Sequence, residues 1–322
     1  MEQRQLTIIS GAGINLGISK SCPDAKDLLG FTYQKISQSV YRTIREDIQR
    51  MFTPGSFDFI LGGLLTVNLA MAKIKSDLKR FEMDEEAFAD LFRHTDIQDS
   101  ISNALQKIEQ SLTIPLDELL GTLKKFEPAI QSLADQYDSI NYFTLNFDSV
   151  FDHMLLGPGY RRSGLCTDYW NKGKLNKNAN ARIKIFHLHG DLRYKPNKVN
   201  TRSRQGNKDY QWPVIVVGDQ QVKRGIIASN TALSFYNNRF KALCDPKGDD
   251  RKKFEENNLA IVGFGFRTED AHIVSNIRDG IKGGVFDNIN TYDREDKLIG
   301  LCEGHNWANA DEHDLIDFIS GL

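Results

Sequence analysis

The sequence predicts an α/β protein built on a doubly wound parallel sheet with a large helical insert, and three observations carry that prediction. Short β-branched or apolar runs recur along the chain with helical or loop patterns between them, the alternation that a parallel sheet with crossover helices requires. Several of these runs end in turns bearing glycine, asparagine or histidine, where open α/β sheets carry their ligand contacts. The first two runs are separated by about 130 residues with almost no strand signal, far more than a single crossover needs.

Taken in order, the first strand is Leu6–Ile9. The long interval then holds Phe57–Ala70, apolar almost all round, followed by Asp99–Leu112 and Leu116–Phe126 with apolar residues at three- and four-residue spacing. These read as packed helices of an insert over 33–135, which leaves 1–32 and 136–322 as the sheet domain. Phe57–Ala70 is short for a membrane span and carries Asp58 and two glycines, so it reads as a core helix. Further strands are expected at Ile140–Thr144, Ile183–Leu188, Val214–Val217, Leu259–Gly263, Ile289–Tyr292 and Leu298–Leu301, with a helix over Ala271–Arg278. The loop from Gly159 to Trp212 holds one of these strands and a polar stretch, Asn197–Asp209, and no internal repeat is present.

A hydrophobic content of 40% with 26% charged residues suits a globular protein, and no apolar run reaches the roughly 20 residues of a membrane helix. The N-terminal MEQRQLTIIS lacks an extended apolar h-region, so export is not expected and a cytoplasmic location is. A net charge of -2 provides no general field for nucleic acid, and the locally basic segment 172–204 reads as a solvated loop. Cys22, Cys166, Cys244 and Cys302 form no CxxC pair, which removes the usual signal for structural zinc and fits free thiols in a reducing compartment.

Four motifs carry the chemistry. Ser10-Gly11-Ala12-Gly13-Ile14-Asn15 follows the first strand, and residues without bulk there let backbone N–H groups approach a pyrophosphate; a tight turn alone would also select glycine. Thr144-Leu145-Asn146-Phe147-Asp148 lies just past a strand, where Asn146 offers a donor and an acceptor to a sugar hydroxyl or water and Asp148 could orient it or hold a carboxamide. Both could instead cap a helix beginning near Ser149. His187-Leu188-His189-Gly190-Asp191 puts two histidines on one face if the strand stays regular that far. A metal would need ligands beyond the nearby Asp191, so none is expected; His189 suits a general base and His187 a supporting role. Gly263-Phe264-Gly265 ends a late strand and repeats the phosphate-or-ribose logic, and two glycine turns on neighbouring strands exceed what chain geometry alone suggests. Asp270 with His272 could contact a partner or cap the following helix.

In that order GAGIN, TLNFD, HLHGD, WPVIVVGD and GFGFRTED resemble the SIR2 family of sirtuin-like NAD-binding proteins. The resemblance implies a Rossmann-like sheet in which Gly11, Ala12 and Gly13 hold the NAD phosphates, with Asn15 and Thr144 also among the cofactor-binding residues. It further implies that Asn146 and Asp148 line the nicotinamide-ribose pocket, that His189 is the catalytic base, and that Gly263 and Gly265 lie near the adenosine ribose. The departures are equally informative. No four-cysteine zinc module follows His189, and Gly17-Ile18-Ser19-Lys20-Ser21-Cys22-Pro23-Asp24-Ala25 lacks the aromatic residue and arginine usual in the cofactor loop. Leu145 replaces the common glutamine, and the insert is long and helical. These features resemble the NAD-consuming SIR2-like subunits of bacterial antiphage defence.

The implied reaction is hydrolysis of NAD+ to nicotinamide and ADP-ribose, with NAD+ as substrate and no metal. Asn146 would position the ribose or water, His189 would take a proton, and Asp148 would stabilise the cationic sugar or the carboxamide. The alternatives are an NAD-dependent deacylase or ADP-ribosyltransferase, for which Val214–Asp219 would border an acceptor channel, and a non-catalytic NAD or ADP-ribose sensor. The resemblance also implies control by oligomerisation or by a partner subunit, such as a HerA-type ATPase or a HAM1-like protein, with the insert as the contact surface.

Overall fold

A computed structural model describes residues 3–18, 105–106, 116–156, 170–171, 174–175, 181–192, 213–218, 220–248 and 253–322. Most of the expected insert lies outside them, including Phe57–Ala70 and nearly all of Asp99–Leu112, as does the polar stretch Asn197–Asp209.

The described elements are β1 (Arg4–Ser10), α1 (Gly13–Ile18), α2 (Leu116–Gln136), β2 (Ser139–Thr144), α3 (Val150–Leu156), β3 (Trp170–Asn171), β4 (Lys174–Leu175) and β5 (Ile183–His187). They continue with β6 (Gly190–Asp191), β7 (Val214–Ile215), α4 (Gln220–Ser229), α5 (Thr231–Cys244), β8 (Glu256–Val262) and a 3-10 turn at Thr268–Asp270. The chain closes with α6 (Ala271–Lys282), β9 (Asn288–Asp293), β10 (Asn306–Asn309) and α7 (Leu315–Ser320).

Six strands form one parallel sheet in the order β10-β9-β8-β1-β2-β5. Counted along the chain, this is the 3-2-1-4-5-6 order of a Rossmann-like, doubly wound fold, whose direction of winding reverses between β1 and β8. The period-2 alternation of each strand feeds two separate cores. Leu6 and Ile8, Ile140 and Tyr142, Ile183 and Ile185, and Ala260 and Val262 meet α1, α2, α3 and α7 on one face. Ile9, Phe143, Phe186, Leu259 and Ile261 meet α5 and α6 on the other. Each such side chain contributes roughly 1.5–3 kcal/mol when fully buried, so a sheet buried on both faces holds the fold.

The helices follow from the same logic. Leu123, Phe126, Ala129, Ile130 and Leu133 recur at helical spacing and give α2 a single buried face. The end of the region read from sequence as insert is thus also a layer of the sheet domain. Asn230 accepts hydrogen bonds from the backbone of Ala232 and Leu233 to start α5, and Asp314 accepts from Ile316 to start α7. Tyr137, just past α2, donates its hydroxyl to the carbonyl of Leu322 at 2.5 Å and ties the C-terminus to the core.

Two strand expectations are corrected. Leu298–Leu301 is a turn: Leu298 is buried, Ile299 is 79% exposed, Gly300 has φ 76°, and the Leu298 carbonyl accepts from Leu301. The last strand is instead the polar Asn306–Asn309, which needs little apolar alternation at the sheet edge. Val214–Val217 does not join the parallel sheet either; Val214 and Ile215 pair antiparallel with Asp191 and Gly190. Among the described residues no helix is long and apolar enough to cross a membrane.

Candidate functional site

The loops after β1, β2, β5 and β8 gather at the carboxyl edge of the sheet, beside the reversal point where open α/β sheets bind ligands. The two glycine turns are packed against each other. A Cβ on Gly11 would sit 2.6 Å from the Gly263 carbonyl oxygen, and one on Gly13 would sit 2.8 Å from Gly263 Cα. Gly263 itself has φ 56° and backbone hydrogen bonds join Gly11 to Val262 and Gly13 to Gly263. Chain geometry therefore explains the pairing of these three glycines, contrary to the sequence expectation, whereas Gly265 meets only the Arg267 side chain at 3.6 Å. Ala12 lies between the packed glycines, and its carbonyl accepts from the backbone of Asn15.

The backbone at the ends of β1 and β2 is locked by buried hydroxyls. Ser10 Oγ donates to Thr144 Oγ1 at 2.9 Å and shares a 2.7 Å hydrogen bond with the Tyr142 hydroxyl, while Asn146 N–H donates to Thr144 Oγ1 at 3.1 Å. Thr144 is therefore an anchor for the Asn146 loop.

Beyond it lies a buried polar group. Asp148 Oδ1 accepts the Val150 N–H at 2.9 Å, and its Oδ2 accepts Asn15 Nδ2 at 2.8 Å. Because a carboxylate only accepts, this pair fixes the Asn15 amide and turns its oxygen toward Asn146, whose Nδ2 lies 3.5 Å away. The chain of orientation leaves Asn146 Oδ1 as an acceptor. Burial pushes the Asp148 carboxyl up, opposed by the hydrogen bonds from Val150 and Asn15. The helix-capping reading therefore holds for Asp148, whereas Asn146 does not cap.

The two histidines diverge, correcting the expectation of one face. β5 ends at His187, and Leu188 and His189 already lie in a turn, so alternation does not extend to His189. His187 Nε2 lies 2.9 Å from Asp152 Oδ2 and its Nδ1 lies 3.1 Å from the Asn146 carbonyl oxygen, so the ring braces the Asn146 loop from α3. His189 enters a different buried cluster. Among the described residues its Nε2 has no hydrogen-bond partner, although Asp270 Oδ1 is 3.6 Å away, and its ring stacks on His272 at 5.5 Å. Burial, reinforced by the Lys223 ammonium and His272, lowers the His189 pKa well below the usual imidazole range.

Asp270 does not cap α6 with its side chain. It pairs instead with Lys223 Nζ at 2.6 Å, both groups being buried. Sequence reading gave Lys223 no role, yet Lys223 and Ile227 lie four apart on α4 and are both buried, a spacing that signals an inward-facing lysine. Asp152 was likewise missed, because it meets His187 across 35 residues of sequence. Among the described residues no group of three or more His, Cys, Asp or Glu side chains could hold a metal ion.

No protein-family model matches the chain, and no curated protein does. Among solved structures, it is similar to a chain from a study of the structural basis for the mechanism and regulation of Sir2 enzymes. The TM-score is 0.37 with 12% sequence identity, covering 98% of this chain and 90% of that one.

Proposed function

We propose that this protein is a SIR2-like NAD+ hydrolase that cleaves the nicotinamide–ribose bond and acts by NAD depletion in bacterial antiphage defence. The observation that carries the reading is the buried Asn15–Asn146–Asp148 group beside the reversal point of a Rossmann-like sheet, one strand away from a buried His189 with a ring nitrogen that has no partner among the described residues. The order of the sequence motifs supplies the choice of substrate.

Cleavage develops positive charge on the ribose as nicotinamide leaves, so the site must hold a water and an electron-rich group close to the anomeric carbon. Asn146 Oδ1 is the acceptor that holds a ribose hydroxyl or the water. Asp148, already engaged by Val150 and Asn15, acts by its charge and by fixing the two amides. His189, neutral because of its surroundings, takes the proton that the water or ribose hydroxyl releases.

The test is cellular NAD in cells carrying wild type or His189→Ala, with neighbouring genes co-expressed and phage added. NAD loss with wild type only is expected, and the loss of general-base help should lower turnover about a hundred- to ten-thousandfold. Full activity of His189→Ala overturns the assignment of the base. Acyl-lysine turnover with little NAD loss in the absence of peptide would replace hydrolysis by deacylation, and tight NAD+ binding without turnover would make the protein a sensor.

A further inference from the structure

The cluster of Lys223, Asp270, His189 and His272 is assembled from three separate elements, α4, the 3-10 turn and α6, around the second residue past the end of β5. Its construction is specific. The Val216 N–H donates to the His189 carbonyl at 2.7 Å, and the Gly190–Ile215 pairing continues that ladder, so the backbone of His189 is clamped by the short strand that leads directly into α4. That helix delivers Lys223 to Asp270 at 2.6 Å. Asp270 thereby presents the same oxygen, Oδ1, to Lys223 Nζ and, at 3.6 Å, to His189 Nε2.

A buried ammonium–carboxylate pair costs desolvation that its mutual attraction barely repays, so it is weak evidence for stability by itself. Its placement beside an unpartnered imidazole nitrogen gives it a use. The described charged or titratable groups around His189 are Lys223 of α4, Asp270 of the turn and His272 of α6, with Arg224 bearing on His272. Asp270 is the carboxylate among them. When His189 gains a proton, the cluster gains a positive charge that the Lys223 ammonium opposes, and Asp270 is the group whose negative charge can offset it. Hydrogen bonds of catalytic groups are often long before substrate binds and tighten afterwards, which suits 3.6 Å.

We propose that Asp270 is the positioning carboxylate of His189: its Oδ1 receives the imidazole Nε2–H, Lys223 balances its charge, and Nδ1 is left as the proton-accepting nitrogen. In the step itself Nδ1 takes a proton from water or a ribose hydroxyl, the ring becomes imidazolium, and Asp270 remains a carboxylate throughout. This deepens the hydrolase reading and rests on it for the identity of the proton donor, but the tautomer of His189 is a property of the protein alone.

The experiment is therefore run first without substrate. In the full chain labelled with ring-15N histidine, the His189 signals are identified by their loss in His189→Ala. The wild-type ring is expected neutral with the proton on Nε2. The paired replacement Lys223→Met with Asp270→Asn, in which no ammonium holds the amide oxygen toward the ring, should populate the Nδ1–H form, and Asp270→Glu alone should keep Nε2–H. Lys223→Met alone should raise the protonation midpoint of His189, because it removes a neighbouring cation, and Lys223→Arg should not. An unchanged tautomer in the paired variant, or an unchanged midpoint in Lys223→Met, overturns the proposal. Nicotinamide release is measured second: Asp270→Asn should lower kcat about a hundredfold with KM for NAD+ held within about threefold. A kcat within about threefold of wild type also overturns it. If wild type releases no nicotinamide, the hydrolase reading fails, while the tautomer result still decides the role of Asp270.

Discussion

Two histidines with no charge of their own at neutral pH lie in contact inside the site, and their surroundings make them sensitive to acid. His272 is lowered to about 4, first by burial and then by Lys223 and Arg224 against the opposing Asp270, and His189 is lowered in the same direction. The unfolded chain takes up protons on both as pH falls through the ordinary imidazole value of 6.5, whereas the folded protein does not until much lower pH. The unfolded state then binds more protons, so stability is full above about pH 6.5 and declines toward about pH 4. Asp148, raised by burial from 3.8, has the opposite sign: it adds stability as pH falls through its raised folded value toward 3.8 and so opposes the decline at the acid end of that window. The urea midpoint should fall as pH is lowered from 6.5 to 4, and His272→Gln should flatten the fall. Identical slopes for the two proteins would show that His272 is not held neutral by the fold.

At the scale of elements, the decisive contact is between two loops that follow adjacent strands. Gly263 has φ 56°, and a Cβ there would lie 2.5 Å from the Gly13 carbonyl carbon and the Ile14 nitrogen, none of which is a movable side-chain end. Gly263→Ala therefore combines left-handed strain with a backbone clash and should cost on the order of 1–3 kcal/mol or more. Gly265→Ala meets ordinary contact with Arg267 only and should leave the thermal midpoint near wild type. The pair separates two uses of glycine within one motif. Equal destabilisation by both would mean that the tight approach of the β1 and β8 loops is not what Gly263 serves. The short β6–β7 ladder has a comparable role, because it closes the backbone around His189 on the strand that precedes α4, the helix that carries Lys223.

Across the whole molecule, the strand order places the Asn146 and His189 loops on the neighbouring strands β2 and β5, and the glycine loops on β1 and β8, all at one edge. A dinucleotide bound along that edge would touch loops from both halves of the sheet, so binding should stabilise the fold as a unit. For NAD+ at about a hundred times its Kd the gain is about 2.7 kcal/mol, enough to raise Tm by several degrees. The thermal midpoint of His189→Ala with NAD+, in which turnover does not consume the ligand, checks this. An unchanged midpoint at millimolar NAD+ would remove dinucleotide binding from this edge.

The amino-acid sequence by itself determined the fold class, most strands of the sheet and the polar or glycine-bearing turns that follow them. Alternation in Leu6–Ile9, Ile140–Thr144 and Leu259–Gly263 is a local property, and so is a turn of small or polar residues directly after each run. It misplaced the last strand, because the apolar Leu298–Leu301 satisfies its burial in a turn while the edge strand Asn306–Asn309 needs no apolar pattern. Only the tertiary structure decided which side chains meet. Asn15 reaches Asp148 across 133 residues and Lys223 reaches Asp270 across 47, and neither spacing leaves a periodic trace. The divergence of His187 from His189 depends on the turn that begins directly after β5, and the mutual packing of Gly11, Gly13 and Gly263 depends on the adjacency of β1 and β8. Periodicity reports whether a residue faces a core, because burial repeats with the backbone; the partner it finds there is set by how the strands are ordered, which no local run of residues encodes.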